Sequence, residues 1–466
     1  MPTIEIKNLG GINTYVNPAL QGQLIHSVNF DSFPFGAKTK RAGYTTYLGT
    51  ADGSVPTSMF NWTKNDGTFF NYRTSGSAIY YSTQGTGTWT LCGNGTITAG
   101  NKVGHAVLDD TLVVGENAGS TRHTTSGTSF TNTTIAPVGE FLEQYQGRIY
   151  VGGTSSTLFY STTNDATNWA TSGTSDSSSL TIPGAGKMGR IFKSADRLIT
   201  SKTSGLMHRW DGYSLVDMST NLGPSSPYSA DSQEGYYFWL NRLGVYGYGG
   251  NRPQILSNAI QNQIYNNSGS AIVGTEFDTA PGVAHRYNYY ASVGTLTDDL
   301  VNETIDDAII KYNFQKNEFL NYSLAVKPTS WLSYKDASGV DQLVFGGTGG
   351  QCYTLGGTNL NDNGSAIVCN FQYVVHLGTF NEKQWYWLRA LFNPGNQARV
   401  QIATSNSFVE GNKKWIDIGN ASSGVLEERF PTGSQSRFLF IRVTESSQNS
   451  RLSCYGFEID AEIVKR

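Results

Sequence analysis

Ile79-Tyr80-Tyr81-Ser82-Thr83-Gln84-Gly85-Thr86-Gly87-Thr88-Trp89 is the stretch on which the fold turns, because the chain repeats its form. A short apolar run enters a Ser/Thr/Gly-rich turn, and a single aromatic closes it. The second copy is Arg122-His123-Thr124-Thr125-Ser126-Gly127-Thr128-Ser129-Phe130. The third is Leu158-Phe159-Tyr160-Ser161-Thr162-Thr163-Asn164-Asp165-Ala166-Thr167-Asn168-Trp169. Trp89, Phe130 and Trp169 stand 41 and 39 residues apart, about the length of one four-stranded propeller blade. A looser copy follows at Leu206-Met207-His208-Arg209-Trp210-Asp211-Gly212-Tyr213.

A second landmark keeps step with the first. Tight polar turns open β-rich runs at Asp66-Gly67-Thr68-Phe69-Phe70, Asp109-Asp110-Thr111-Leu112-Val113 and Gln146-Gly147-Arg148-Ile149-Tyr150. Ala195-Asp196-Arg197-Leu198-Ile199 and Glu234-Gly235-Tyr236-Tyr237-Phe238 continue the series. Such dipeptides between apolar runs are hairpin signals, because their central residues accept φ > 0. Two landmarks at matching intervals predict an all-β chain with an irregular propeller of six to eight blades.

Composition agrees. The 466 residues are enough for several cores, and 53 glycines and 26 tyrosines describe short strands joined by many turns. Helical periodicity is confined to Gln254-Ile255-Leu256-Ser257-Asn258-Ala259-Ile260-Gln261-Asn262-Gln263-Ile264-Tyr265, where a turn or two suffices. Charged residues make up 15% with a net charge of −3, which leaves no basic footprint for tight nucleic-acid binding. No apolar stretch predicts a membrane span, and Met1-Pro2-Thr3-Ile4-Glu5-Ile6-Lys7 lacks the apolar centre of a signal peptide. The expectation is a soluble protein made in the cytoplasm.

Three regions follow: a lead-in over 1–50 packing on the rest, the propeller over 51–362, and a C-terminal β-sandwich of jelly-roll kind over 363–466. The later blades carry insertions at 171–179, 266–270 and 298–307. Gly356-Gly357-Thr358-Asn359-Leu360-Asn361-Asp362-Asn363-Gly364 reads as a linker. Beyond it, Arg437-Phe438-Leu439-Phe440-Ile441-Arg442-Val443 and Cys454-Tyr455-Gly456-Phe457-Glu458-Ile459-Asp460-Ala461-Glu462-Ile463 alternate with period two, as half-buried strands do.

The residues that carry chemistry elsewhere are not grouped here. Cys92, Cys352, Cys369 and Cys454 form no CxxC pair and read as buried thiols. His26, His105, His123, His208, His285 and His376 never fall in HxH or HExxH spacing. Gly244-Val245-Tyr246-Gly247-Tyr248-Gly249-Gly250 and Phe345-Gly346-Gly347-Thr348-Gly349-Gly350 lack the ending of a phosphate loop and read as turns. Asp298-Asp299 and Asp306-Asp307 lack a calcium-loop pattern and read as a solvated loop. The turns ending in an aromatic share the spacing of the sialidase Asp-box, but Gln84, Thr125 and Asn164 stand where that motif has Asp. They read as structural punctuation, the aromatic packing between blades. No catalytic, cofactor-binding or metal residue is therefore assigned.

Several short elements resemble the hub or nozzle proteins of short-tailed bacteriophages. They are Gly10-Gly11-Ile12-Asn13-Thr14, Val28-Asn29-Phe30-Asp31, Lys40-Arg41-Ala42-Gly43-Tyr44 and Pro253-Gln254-Ile255-Leu256-Ser257-Asn258-Ala259-Ile260. At the end stand Trp385-Tyr386-Trp387-Leu388-Arg389, the strand from Arg437 and Tyr455-Gly456-Phe457-Glu458-Ile459. The resemblance implies a virion structural protein, a non-enzyme without cofactor, assembled as a hexameric ring below the portal and adaptor proteins. Viral DNA would pass through it without sequence preference, and fibre, spike or needle proteins would attach distally. The alternatives are a receptor- or carbohydrate-binding propeller and, third, a glycosidase.

Overall fold

The computed structural model describes residues 3–13, 23–32, 36–49, 51–133, 135–173, 175–194, 196–219, 221–266, 269–270, 277–298, 301, 303–377, 381–408 and 413–464. Thr14, Ala195 and Asp299, quoted above, lie outside them, as do parts of the stretches 171–179, 266–270 and 298–307.

The chain is built almost entirely of antiparallel β-hairpins. Among the described residues, six self-contained four-stranded sheets occupy 56–96, 104–132, 141–181, 188–219, 231–255 and 328–355, the last completed by Tyr44–Tyr47. A further sector, residues 282–323, forms the first four strands of a nine-stranded sheet. Numbering these units in chain order gives blades one to five, the fused sector as blade six, and the closing blade as seven.

Seven apolar clusters, each shared by two neighbouring units, hold them in a ring. Tyr72 of blade one meets Leu112 and Phe130 of blade two, and Leu332 and Val344 of blade seven meet Met59 and Phe69 of blade one. This enclosure on both faces explains why second strands such as Phe69–Ser75 are buried throughout, the polar Asn71, Arg73, Thr74 and Ser75 included. The lead-in completes the circle: Tyr44–Tyr47 pairs with Cys352–Leu355, so early and late segments share one blade.

Both landmarks have the expected structural cause. The hairpin dipeptides carry paired positive φ angles, 46° and 60° at Asp109-Asp110, 48° and 68° at Gln146-Gly147, and 52° and 81° at Glu234-Gly235. That is the type I′ turn, whose twist matches the strands it joins. The repeated aromatic faces the preceding blade: Phe130 lies 6.2 Å from Tyr72, Trp169 packs with Ala106 and Leu108, and Trp89 meets Tyr47 edge-on at 6.0 Å. Gly147→Ala should cost about 1–2 kcal/mol, because a Cβ there would also stand 2.5 Å from Asn164 Oδ1. The urea midpoint of the variant measures it.

The C-terminal region is a sandwich. One sheet contains Lys383–Phe392 and Ser453–Ile463, joined by Phe30–Ser32, Lys38–Lys40 and Thr3–Ile6 of the lead-in. The other contains Cys369–Val375, Phe438–Glu445 and Arg399–Ser405, and it continues blade six through the lead-in strand Leu24–Val28. Phe30, Phe371, Trp385, Ile441 and Phe457 fill the space between. The helical candidate is one 3-10 turn, Ser257–Ile260, followed by one α turn, Gln261–Ile264.

Two sequence expectations are corrected. The described residues of 298–307 are not a loop insertion: Asp298 is buried at the end of the strand Asn288–Asp298, and Glu303–Asn313, in which Asp306 is exposed, forms the next strand. Nor is 356–364 a loose linker. Gly43 and Tyr44 bond to its backbone at Gly356, Asn359 and Asn363, and Asp362 is buried.

Candidate functional site: the axial cavity and the propeller–sandwich seam

Two places concentrate polar groups. The first is the propeller axis, where the innermost strands leave a cavity of about 580 Å³ lined by Asn61, His105, Glu143, Arg190, Asp231 and Ser333, among others. His105 stacks on Phe60 at 4.6 Å while its edge reaches the lumen, and burial with the nearby Arg190 pushes its imidazole pKa down to about 4. Burial raises the carboxyl pKa of Glu143 and Asp231, against the pull of Arg190.

At the end where the innermost strands begin, Lys102 lies 4.4 Å over the Tyr228 ring, and Tyr228 donates a 2.9 Å hydrogen bond to Glu140. Burial lowers the Lys102 pKa to about 8 and raises that of Glu140. These groups can bind water or a small polar molecule and exchange protons. They do not form the nucleophile, base and orienting group of covalent catalysis.

The second place is the seam between blade six and the sandwich, and here the lead-in acts as a clamp. Arg41, 2% exposed, uses all five N–H donors. Its Nε donates to Asn29 Oδ1 at 2.7 Å. Nη1 and Nη2 grip both oxygens of Asp362 at 2.8 and 2.6 Å, and also reach the carbonyls of Ala42 and Ser323. Asn29, held at φ 61°, ties Val368 of the sandwich to Asn321 and Ser323 of blade six. Lys40 pairs with buried Glu445 at 2.8 Å, and Asp31 receives Lys311 and Tyr322.

A second network lies on the same seam. His26, wholly buried, faces Asp298 through Nδ1 at 2.8 Å and Glu303 through Nε2 at 3.1 Å. Burial opposes its charge, yet the two carboxylates carry its pKa up to about 9, so it is an imidazolium at neutral pH. Gln263 donates to Asp298, while Asn370, Gln372 and Arg442 surround Glu303.

The seam gathers residues that the sequence keeps far apart. Lys38, Lys40 and Arg41 look like a surface basic cluster but are all buried. Asp362 and Glu445, the partners of Arg41 and Lys40, lie hundreds of positions away, and no local pattern announces them. Asp298 serves His26, and among the described residues no group of three or more His, Cys, Asp and Glu is placed to hold a metal ion. The histidines are dispersed: His123 meets Thr133, His208 meets Asp217, His285 meets Ser333, and His376 stacks on Phe438. All four cysteines are buried and free. The glycine-rich segment 244–250 is not a turn throughout: Gly244–Tyr248 is a fully buried strand of blade five, while 345–350 is the end of the strand Asp341–Gly347 of blade seven and the turn after it. Among the described residues no helix is long and apolar enough to cross a membrane.

No family model matches the chain, and no curated protein matches it. Solved structures similar to it include YCF48 from Cyanidioschyzon merolae, at 11% identity and TM-score 0.43, covering 68% of this chain and 99% of that one. A catalytically inactive virginiamycin B lyase from Staphylococcus aureus shares 9% identity at TM-score 0.43, covering 67% and 98%. BamB from Moraxella catarrhalis shares 10% at TM-score 0.39, covering 77% and 98%.

Proposed function

We propose that the chain is a structural subunit of a bacteriophage tail: a hub or nozzle protein that forms a ring below the portal and adaptor, conducts DNA and anchors distal parts. The observation that carries this reading is the convergence of the elements on which the resemblance rests. Gly11 and Ile12 run along Phe319 of blade six, and Ile12, Ile260 and Phe319 share one apolar cluster. Asn29, Asp31, Lys40 and Arg41 clamp the seam, while Phe30, Trp385 and Phe457 share the sandwich core.

Motifs scattered along the chain thus serve one purpose: they lock a propeller rigidly to a sandwich. A particle that must transmit load between a capsid and its distal tail needs subunits that do not shear internally. Charge fits as well. With a net charge of −3 the subunit offers DNA little general attraction, and weak phosphate contact lets a duplex slide.

Negative-stain imaging and mass measurement of the full chain, alone and mixed with phage portal and adaptor proteins, test the reading. Six-fold rings stacked on the adaptor are expected. A persistent monomer that joins neither ring would overturn it.

A further inference from the structure

We propose that the groove between blades five and six binds a saccharide, with Arg252 favouring a sugar that carries a carboxylate. The groove lies at the hairpin end of the propeller, opposite the Lys102–Glu140 end. Its volume is about 410 Å³, within the range of roughly 300–1,000 Å³ usual for small-ligand clefts. Phe238, Tyr312 and Leu256 help form its floor, and Tyr236 and Phe314 rise at its sides.

The aromatic surfaces are fixed before any ligand arrives. Phe314 stacks on buried Phe238 at 5.2 Å and meets Tyr287 edge-on at 5.8 Å. Tyr236 is 55% exposed. Its ring lies against Gly249 so closely that a Cβ at that position would stand 2.7 Å from it. A large exposed aromatic held against backbone at a glycine is a rigid platform.

The polar rim has the complementary property. Asn251, Arg252 and Gln254 line the groove, and among the described residues none of their side chains has a hydrogen-bond or ion-pair partner. Two carboxamides and a guanidinium thus stand unused around aromatic faces. A pyranose ring matches this division, with C–H groups on its faces for the aromatics and hydroxyls at its edge for planar donors and acceptors. Among the described residues the lining contains one cation and no acid, which selects a uronic or similar acidic sugar over an amino sugar. A greasy peptide side chain would fill the floor but leave the rim unpaired.

Saturation-transfer NMR on the full chain tests the site, with glucose, galactose, glucuronic acid and glucosamine as probes. Transfer to glucuronic acid should be strongest. Arg252→Gln should weaken it about tenfold, the effect of one charge-assisted hydrogen bond, while leaving weaker transfer to neutral hexoses. Tyr236→Ala should abolish transfer to every probe. Tyr213→Ala, which removes the 95% exposed tyrosine of blade four, should change nothing. Absence of transfer to all four sugars, or transfer that survives both groove substitutions, overturns the proposal. Because ring assembly is read separately, either result leaves the tail-subunit reading to its own test.

Discussion

Replacing Arg41 with methionine is expected to lower stability by about 3–5 kcal/mol, seen as a lower urea midpoint and faster hydrogen exchange on both sides of the seam. The size follows from what is left behind. Asp362, only 4% exposed, would face no cation, and the Ser323 carbonyl and Asn29 Oδ1 would each lose a donor. A lone charge inside a protein costs more than the pair that contained it contributes. Arg41→Lys should lose nearly as much, because one ammonium cannot span a carboxylate, two carbonyls and an amide. Combining Arg41→Met with Asp362→Leu should recover a substantial part, since the orphaned charge is then gone. If the double variant is as unstable as the single one, the ion pair is not the cause.

The clamp also shows where reading the sequence reaches its limit. Blade signals are local: a type I′ dipeptide such as Gln146-Gly147 and an aromatic such as Trp169 act within one hairpin and its neighbour, so spacing along the chain reveals them. Arg41 and Asp362 are separated by 321 positions, and nothing near either announces the other. The same holds for Tyr44–Tyr47, a four-residue strand whose two threonines are exposed. It looks like lead-in and completes blade seven. Blade six blurred the period for a related reason. Its two central strands run eleven residues each, because they extend to meet the sandwich, and the acidic residues at their ends resembled a solvated loop. The groove at Tyr236 was equally hidden, since its walls come from two blades whose aromatics look like ordinary strand residues.

Stability should peak near pH 6.5 and fall as the solution is taken toward pH 8, and His26 is the reason. Its pKa is about 9 in the folded protein against 6.5 in the unfolded chain. Folding therefore gains from the imidazolium fully below pH 6.5 and loses that gain as pH rises through 9. The difference corresponds to about 3 kcal/mol. On the acid side the sign reverses. Burial holds the His285 pKa near 4, so its cost fades and stability rises as pH climbs from there to 6.5. Lys38 and Lys102, pushed down to about 8, add stability between 8 and 10.5, which makes pH 6.5 to 8 the cleanest window for the His26 slope. His26→Gln keeps a polar side chain between Asp298 and Glu303 but removes the titrating cation. The variant should be less stable at pH 6.5 and should lack the decline across that window. Parallel curves for the two proteins would show that the His26 imidazolium does not hold the seam.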